Sequence, residues 1–256
     1  METINMIQIT SCKGEIIMSK KYELVESSKI ISRNVILYRI KALVDIPNIV
    51  KAGELGGYVE SWRNLSRDGD SWIADNACVY GDAFVTDNAA VYGNARVYGD
   101  AIIADDASVY DNACVYGTAQ VSDKARVFEN AKVYGNANVY GDACVYGNAH
   151  VYGESSVCDR AKVQGKSEVY GIARVKSNMI ICDGNIDSND KIVYLEIDGT
   201  PKTFHVSRDN TIIVSLSYRE INYFRESVRR LYDEPTAKAY LMMCDLAELK
   251  LSDKLK

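Results

Sequence analysis

From Trp72 to Lys176 small and aliphatic residues alternate on a fixed six-residue period. The unit reads Ala-x-Val-Tyr-Gly-Asn/Asp. Ala holds the small position from Ala77 to Ala173, replaced by Ser at Ser155 and Ser167. Two residues after each comes Val or Ile, from Val79 through Ile103 to Val175, and no insertion breaks the run. A short period with one aliphatic and one small position predicts a β-helix. Three hexads make one triangular coil of 18 residues, so residues i and i+18 stack about 4.8 Å apart. Side chains alternate along each short strand. Val79 and Ala77 therefore point in, and Cys78 and Tyr80 point out. Gly81-Asp82 makes the corner, because a tight corner needs φ > 0. About six coils fit between residues 70 and 177 at that spacing.

The open ends of such a stack are unpaired strand edges and need covering. Residues 21–60 read as strands over Lys21–Glu26, Val35–Val44 and Leu55–Val59. Residues 191–216 read as a three-strand meander: Val193–Ile197, a hairpin signal at Asp198-Gly199, then Thr203–Val206 and Thr211–Leu216. Two helices are expected to follow. One spans about 219–232, capped by Ser217, with Ile221, Phe224, Val228 and Leu231 on one face. After a break at Asp233-Glu234-Pro235, the second spans about 236–251. The expected organisation is an extension over 1–20, an N-terminal β cap over 21–66, the β-helix over 67–178, and a C-terminal α+β cap over 179–256. Met18 is a plausible alternative start, which would place residues 1–17 outside the main fold.

Laid on an 18-residue coil, the outward positions separate into unlike columns. Tyr80, Tyr98, Tyr116, Tyr134, Tyr152 and Tyr170 form one, beside a corner that is glycine throughout, from Gly81 to Gly171. The second column is mixed: Ala74, Tyr92, Tyr110, Phe128, Tyr146 and Gln164. The third is mostly small, and its corner is acidic: Asp87, Asp105, Asp123, Gly141, Asp159. The tyrosine column has two readings. Cross-strand stacking stabilises a sheet; an amphipathic stripe of phenols also suits self-association or a protein partner. Base stacking on single strands needs an accompanying basic stripe. The neighbouring column is instead Cys78, Arg96, Cys114, Lys132, His150, Glu168. The acidic corner reads first as a row of turn formers. Its functional alternatives are a cation row or a phosphate-mimicking row.

Charge narrows the partners. The 256-residue chain carries a formal net charge of −5, and residues 67–177 hold 10 Lys/Arg against 15 Asp/Glu. Neither a nucleic-acid face nor an anionic membrane surface fits that balance. The seven cysteines form no C-x-x-C pair and their number is odd, which predicts free thiols in a reducing cytoplasm. No apolar stretch reaches the length of a membrane span, and no signal peptide is visible.

Candidate chemistry is sparse. The two histidines, His150 in an outward column and His205 in a C-terminal strand, are weak catalytic candidates without an acid at a supporting spacing. No zinc spacing, P-loop or G-x-S-x-G elbow occurs, so no metal or cofactor is expected.

With Val79 to Ala83 and every later hexad placing the small residue four after the aliphatic one, the run resembles the hexapeptide-repeat superfamily. That resemblance implies a left-handed parallel β-helix, a mainly β fold and an exception to the usual crossover hand. Its best-known members are acyltransferases, commonly trimeric, using acyl-CoA or acyl carrier protein. They typically extrude a loop from one coil and carry a catalytic His; here nothing interrupts the coils. The segments Lys21–Leu24, Leu37–Leu43, Gly53–Glu60 and Asn64–Ser66 are similar to bacterial and prophage proteins in which a Gly-Glu-Leu-Gly-Gly-Tyr-Val-Glu box precedes Val-Tyr-Gly-Asn-Ala repeats. That likeness implies a phage or mobile-element origin and brings no activity with it. The expected function is non-enzymatic: a rigid capped β-helix, dimeric or trimeric, binding a protein partner through an outer face. For a phage protein that partner would be a host factor such as a defence protein. The alternatives are an acyltransferase with His150 or His205 as base, and an acidic nucleic-acid mimic.

Overall fold

A computed structural model describes residues 21–31, 35–176, 179–182, 185–187, 192–197, 200–206 and 212–214, together with 234, 237, 238, 241, 242 and 245. The hexads form a parallel β-solenoid with three flat faces, built from ten-, seven- and six-stranded sheets. Each hexad contributes one strand of mostly two residues, and each strand pairs with the one 18 residues on. Cys114, for example, lies in register with Lys132 and Val115 with Val133. The backbone ladder is regular: Arg96, Cys114 and Lys132 donate N–H to the carbonyls of Ala113, Ala131 and Ala149, each at 2.9 Å.

The core is the aliphatic and alanine columns themselves. Val79 through Val175 and Ala77 through Ala173 have no exposed surface. Alanine is required where the inward residue abuts a corner, because the interior narrows there. Ser155 and Ser167 replace it without an unpaired hydroxyl: Ser155 Oγ lies 2.8 Å from Tyr152 O and 3.2 Å from Val169 O. Ser167 Oγ makes the corresponding pair with Gln164 and Ile181.

The solenoid is longer than the six coils that the valine column suggests. One face runs through seven strands, from Trp72–Ile73 to Ile180–Cys182. On that face the rungs from Ile73 to Ile181 all lie on the 18-residue period. On the ten-stranded face two further rungs lie off it: Val59 pairs with Val79 and Ile186 with Val169, intervals that a strict column search misses.

At the N-terminal end, β1 (Tyr22–Ile31), β2 (Val35–Ala42) and β3 (Leu55–Val59) form an antiparallel meander. β3 then pairs in parallel with Cys78–Val79, so the cap extends the ten-stranded sheet. The glycine pair in the box makes that approach possible. A Cβ on Gly56 would lie 2.5 Å from Ile73 O, and one on Gly57 2.6 Å from Ile73 Cγ2. Arg39 Nε donates to Gly56 O at 2.9 Å, and its guanidinium lies over the Tyr58 ring. Tyr22 Oη reaches Trp62 O at 2.8 Å and Leu65 O at 2.9 Å. Burial holds the Tyr22 phenol up at about 12.

Asn64 closes the edge. Tyr58, Glu60 and Ser66 donate N–H to the carbonyls of Ala77, Val79 and Val85. The same alternation would carry residues 62 and 64 to Gly81 and Ala83. A short 3-10 turn over Trp62–Asn64 diverts the backbone there, and Asn64 N–H goes to Ser61 O instead. The Asn64 side-chain amide takes over, donating to Gly81 O and Ala83 O at 2.9 Å each. Its Oδ1 accepts from Ser61 N–H at 2.8 Å.

At the other end Ile192–Ile197, Thr200–Val206 and Ile212–Val214 form the expected antiparallel meander. The helix expected over 219–232 lies outside the described residues, as does the extension over 1–20. Of the second helix, Ala237, Lys238, Leu241, Met242 and Asp245 are helical; Glu234, assigned to the break, is helical too.

Candidate interaction surface

The tyrosine column occupies the ten-stranded face. Tyr80, Tyr98, Tyr116, Tyr134, Tyr152 and Tyr170 form one unbroken stack, with ring centroids 4.8 to 5.1 Å apart and planes within 7° of parallel. Strand spacing sets this distance. Identical rotamers on identical backbones place one ring over the next, as aromatic pairing favours. The structural reading of the column is therefore correct. All six rings are half-buried. Burial raises the phenols of Tyr80, Tyr98 and Tyr134, and brings Tyr116 and Tyr152 to about 12.

The stack decides what the stripe can bind. A base or sugar ring needs an open aromatic face. Here both faces of the four inner tyrosines are covered by neighbouring tyrosines, which leaves ring edges and hydroxyls outward. The adjoining glycine corner adds no side chain. Gly81, Gly99, Gly117, Gly135, Gly153 and Gly171 all have φ between 62° and 74°.

The column beside the tyrosines holds the charges. His150 packs edge-on against Tyr134 at 6.3 Å and lies in register between Lys132 and Glu168. Burial first, then Lys132, lowers its pKa. Glu168 Oε2 accepts from Tyr152 Oη at 3.2 Å. Among the described residues no carboxylate is hydrogen-bonded to His150, so no acid–base pair is assembled around it. His205 lies in register with Ile192 and Ile213, on a different sheet. The two histidines are thus not brought together in one face.

Cys78, expected outward, is buried. It lies in register between Tyr58 and Arg96, two long side chains that flank its short one. Arg96 also separates it from Cys114. Among the described residues Cys78, Cys114, Cys144 and Cys158 form no disulfide.

The acidic corner is a backbone device. Asp87, Asp105, Asp123 and Asp159 all have φ of 55–58°. Asp105 Oδ2 accepts the N–H of Asp123 at 3.0 Å, and Asp123 Oδ2 that of Gly141 at 2.9 Å. The carboxylates of Asp105 and Asp123 thereby tie their corners to the next. Among the described residues no cluster of His, Cys, Asp or Glu is arranged to hold a metal ion, and no helix is long and apolar enough to cross a membrane.

A second ladder runs along the seven-stranded face, in the column that looked mixed. Tyr92, Tyr110, Phe128 and Tyr146 stack at 4.8 to 5.0 Å, within 4° of parallel. The stack ends where Gln164 takes the next position and pairs with Tyr146 Oη. Its signal was present in the sequence as four aromatics at a spacing of 18.

Residues 89–105 match the family model of the YdcK beta solenoid repeat. The match lies inside the solenoid and covers one coil. The chain is a β-solenoid repeat protein. No curated protein matches its sequence.

Proposed function

We propose that this β-solenoid is a non-enzymatic interaction protein that presents its tyrosine face to a protein partner. The observation that carries the reading is the orientation of the ladder. Six half-buried phenols turn edges and hydroxyls outward at a fixed spacing of about 4.9 Å, set by the strand repeat. Such a strip gives apolar area and a row of hydrogen-bonding groups, the combination that enriches Tyr at protein contacts. Its four inner rings give no open face for a base. The likeness of the N-terminal box to prophage proteins supports a host protein as the partner.

The two other readings draw less support. An acyltransferase needs a base with an assembled acid and an acyl-CoA cleft, and His150 stands on a flat face against Tyr134. A nucleic-acid mimic needs outward carboxylates, and those of Asp105 and Asp123 are engaged by backbone N–H groups.

A pull-down of the tagged chain from bacterial lysate, run beside the Tyr116→Asp/Tyr134→Asp double variant, tests the proposal. A partner held by the wild type and lost from a folded variant is expected. The same partner on both proteins would remove the tyrosine face from consideration. Acetyl-CoA binding by calorimetry, abolished by His150→Ala, would replace the proposal with the enzyme reading.

A further inference from the structure

The six-stranded face carries neither ladder, and its charge is arranged unlike that of the other two. Over three successive rungs its outward side chains are Phe84, Thr86, Ile102, Ala104, Gln120 and Ser122, none of them charged. The tyrosine face carries Arg96 and Lys132 among its outward residues, and the seven-stranded face Arg126 and Lys162. Ile102 stands 39% exposed in the middle of this floor, in register with half-buried Phe84. Beyond Phe84 the turn over Trp62–Asn64 leads into Leu65, which bridges to Val85. Trp62 is 54% exposed there.

Acid borders the floor on both sides. Asp82 and Asp100 stand on the glycine corner. Asp87, Asp105, Asp106 and Asp123 stand on the acidic corner opposite, with Lys124 as the cation among them. All seven are exposed, and among the described residues none of them is in a salt bridge. Six carboxylates against one ammonium give −5, as much as the whole run 67–177 carries. Asp105 and Asp123 each use one oxygen on a backbone N–H and keep their charge. Cations close the section at its two ends: Arg63 and Arg67 lie over the Trp62 ring, and Arg174 crosses the face to Tyr140 Oη at 2.6 Å.

We propose that this section of the six-stranded face seats a basic amphipathic segment of a protein, with apolar side chains on Phe84 and Ile102 and lysine or arginine heads at the two corners. The inference goes beyond the tyrosine-face reading and rests on a different face. Complementary charge selects the occupant. An acidic segment, a nucleic acid or the same face of a second copy would meet its own sign along both edges. Asp100 and Asp105 are five residues apart, at most about 17 Å at the rise of a strand. One helix or strand on the floor can therefore reach both corners, its basic side chains covering apolar surface with their stems. The seven-stranded face shares the acidic corner and has Asp75, Asp111 and Glu129 on its other edge, but there Arg126 occupies the floor between them and opposes a basic segment.

Fluorescence anisotropy of a labelled amphipathic lysine–leucine peptide at low ionic strength tests this, with a glutamate–leucine peptide beside it. The lysine peptide is expected to bind and the glutamate peptide not. Asp82→Asn/Asp100→Asn/Asp106→Asn should weaken binding at least about 10-fold. Asn136 already holds the corner position equivalent to Asp82 and Asp100, so the fold accommodates that change. Asp75→Asn/Asp111→Asn/Glu129→Gln removes the same charge from the far edge of the seven-stranded face and should weaken binding less than about 2-fold. Ile102→Lys puts a cation on the floor and should also weaken binding at least about 10-fold. No binding by the wild type, binding of both peptides, equal losses from the two triple variants, or Ile102→Lys binding as the wild type does would each overturn the proposal. Should a variant fail to fold, carbodiimide coupling of the lysine peptide to the wild type decides. Amide bonds are expected at Asp82, Asp100 and Asp106; coupling spread equally over Asp75, Asp111 and Glu129 overturns the proposal. Tyr116→Asp/Tyr134→Asp is expected to lose the lysate partner and keep the peptide, so failure here is separable from failure of the tyrosine-face reading.

Discussion

Asn64 gives the most direct test of how the solenoid's first edge is held. It is fully buried and replaces two backbone donors with one side-chain amide. Asn64→Ala removes donors from Ala83 O, which is buried, and from Gly81 O, which is partly so, and the acceptor of Ser61 N–H. A buried acceptor left unpaired costs about 1–3 kcal/mol, and the two partly wetted groups add roughly half that each, so the loss should be about 2–4 kcal/mol. Asn64→Asp separates hydrogen bonding from volume. It keeps the shape and the acceptor for Ser61 but turns an oxygen toward two carbonyls. Its carboxyl is then favoured protonated in the fold, so the folded state holds a proton that the unfolded chain releases near pH 4, and stability must fall as pH rises past that point. Urea unfolding followed by circular dichroism measures both variants. Hydrogen exchange at Ser66, Val79 and Val85 locates the damage, expected at the first coils rather than throughout. A loss below about 1 kcal/mol for Asn64→Ala, or Asn64→Asp as stable as wild type at pH 7, would refute the capping argument.

Three further outcomes follow from described geometry. Gly117→Ala puts a Cβ 3.0 Å from Gly135 O at φ +74°, so urea unfolding should show a loss of about 1–2 kcal/mol from backbone strain and contact together. Absorbance titration near 295 nm should find the phenols of Tyr80, Tyr98 and Tyr134 raised by burial above the ordinary value, and Tyr116 and Tyr152 at about 12; because folding raises these pKa values, stability is intact below about pH 10 and should fall as pH climbs from about 10 towards 12. Lys21, buried against Ser71 Oγ at 3.2 Å, is lowered to about 8 mainly by desolvation. Between about pH 8 and 10 the unfolded chain holds that proton and the fold does not, so wild-type stability should rise with pH relative to Lys21→Met; a flat difference would contradict the burial of its ammonium.

What could be read in the sequence is what repeats. The Val and Ala columns predicted the core residue by residue, because an interior with one strand per hexad has no other place for them. The positive-φ corners were legible for the same reason. The rungs added at the two ends of the ten-stranded face were not, since Val59 and Ile186 join at intervals other than 18. Asn64 stood out as part of a motif, but its role depends on carbonyls 17 and 19 residues away and on a turn that diverts its own backbone. The second ladder was missed by comparing residue identities: stacking asks for a flat ring, and Phe128 satisfies that between two tyrosines. Cys78 lost its expected exposure to neighbours in other coils, which no local pattern encodes.

The assignment of each hexad to one of three faces has a consequence for how such a chain can change length. Duplicating or deleting 18 residues adds or removes one rung and leaves every tyrosine over a tyrosine and every glycine corner over a glycine. A change of six residues keeps the core equally well filled, since all hexads share the same Val and Ala, yet it turns everything downstream by one face. Inserting six would carry the tyrosines onto the face of small residues and lay the second aromatic column over the first ladder; deleting six would lay the tyrosines over the second ladder, so either way one ladder ends and the other continues with residues of the wrong column. The interior would tolerate either change, whereas the surfaces would accept only whole turns. Selection on the outer faces should therefore appear as length variation in multiples of 18, even where nothing in the core demands it.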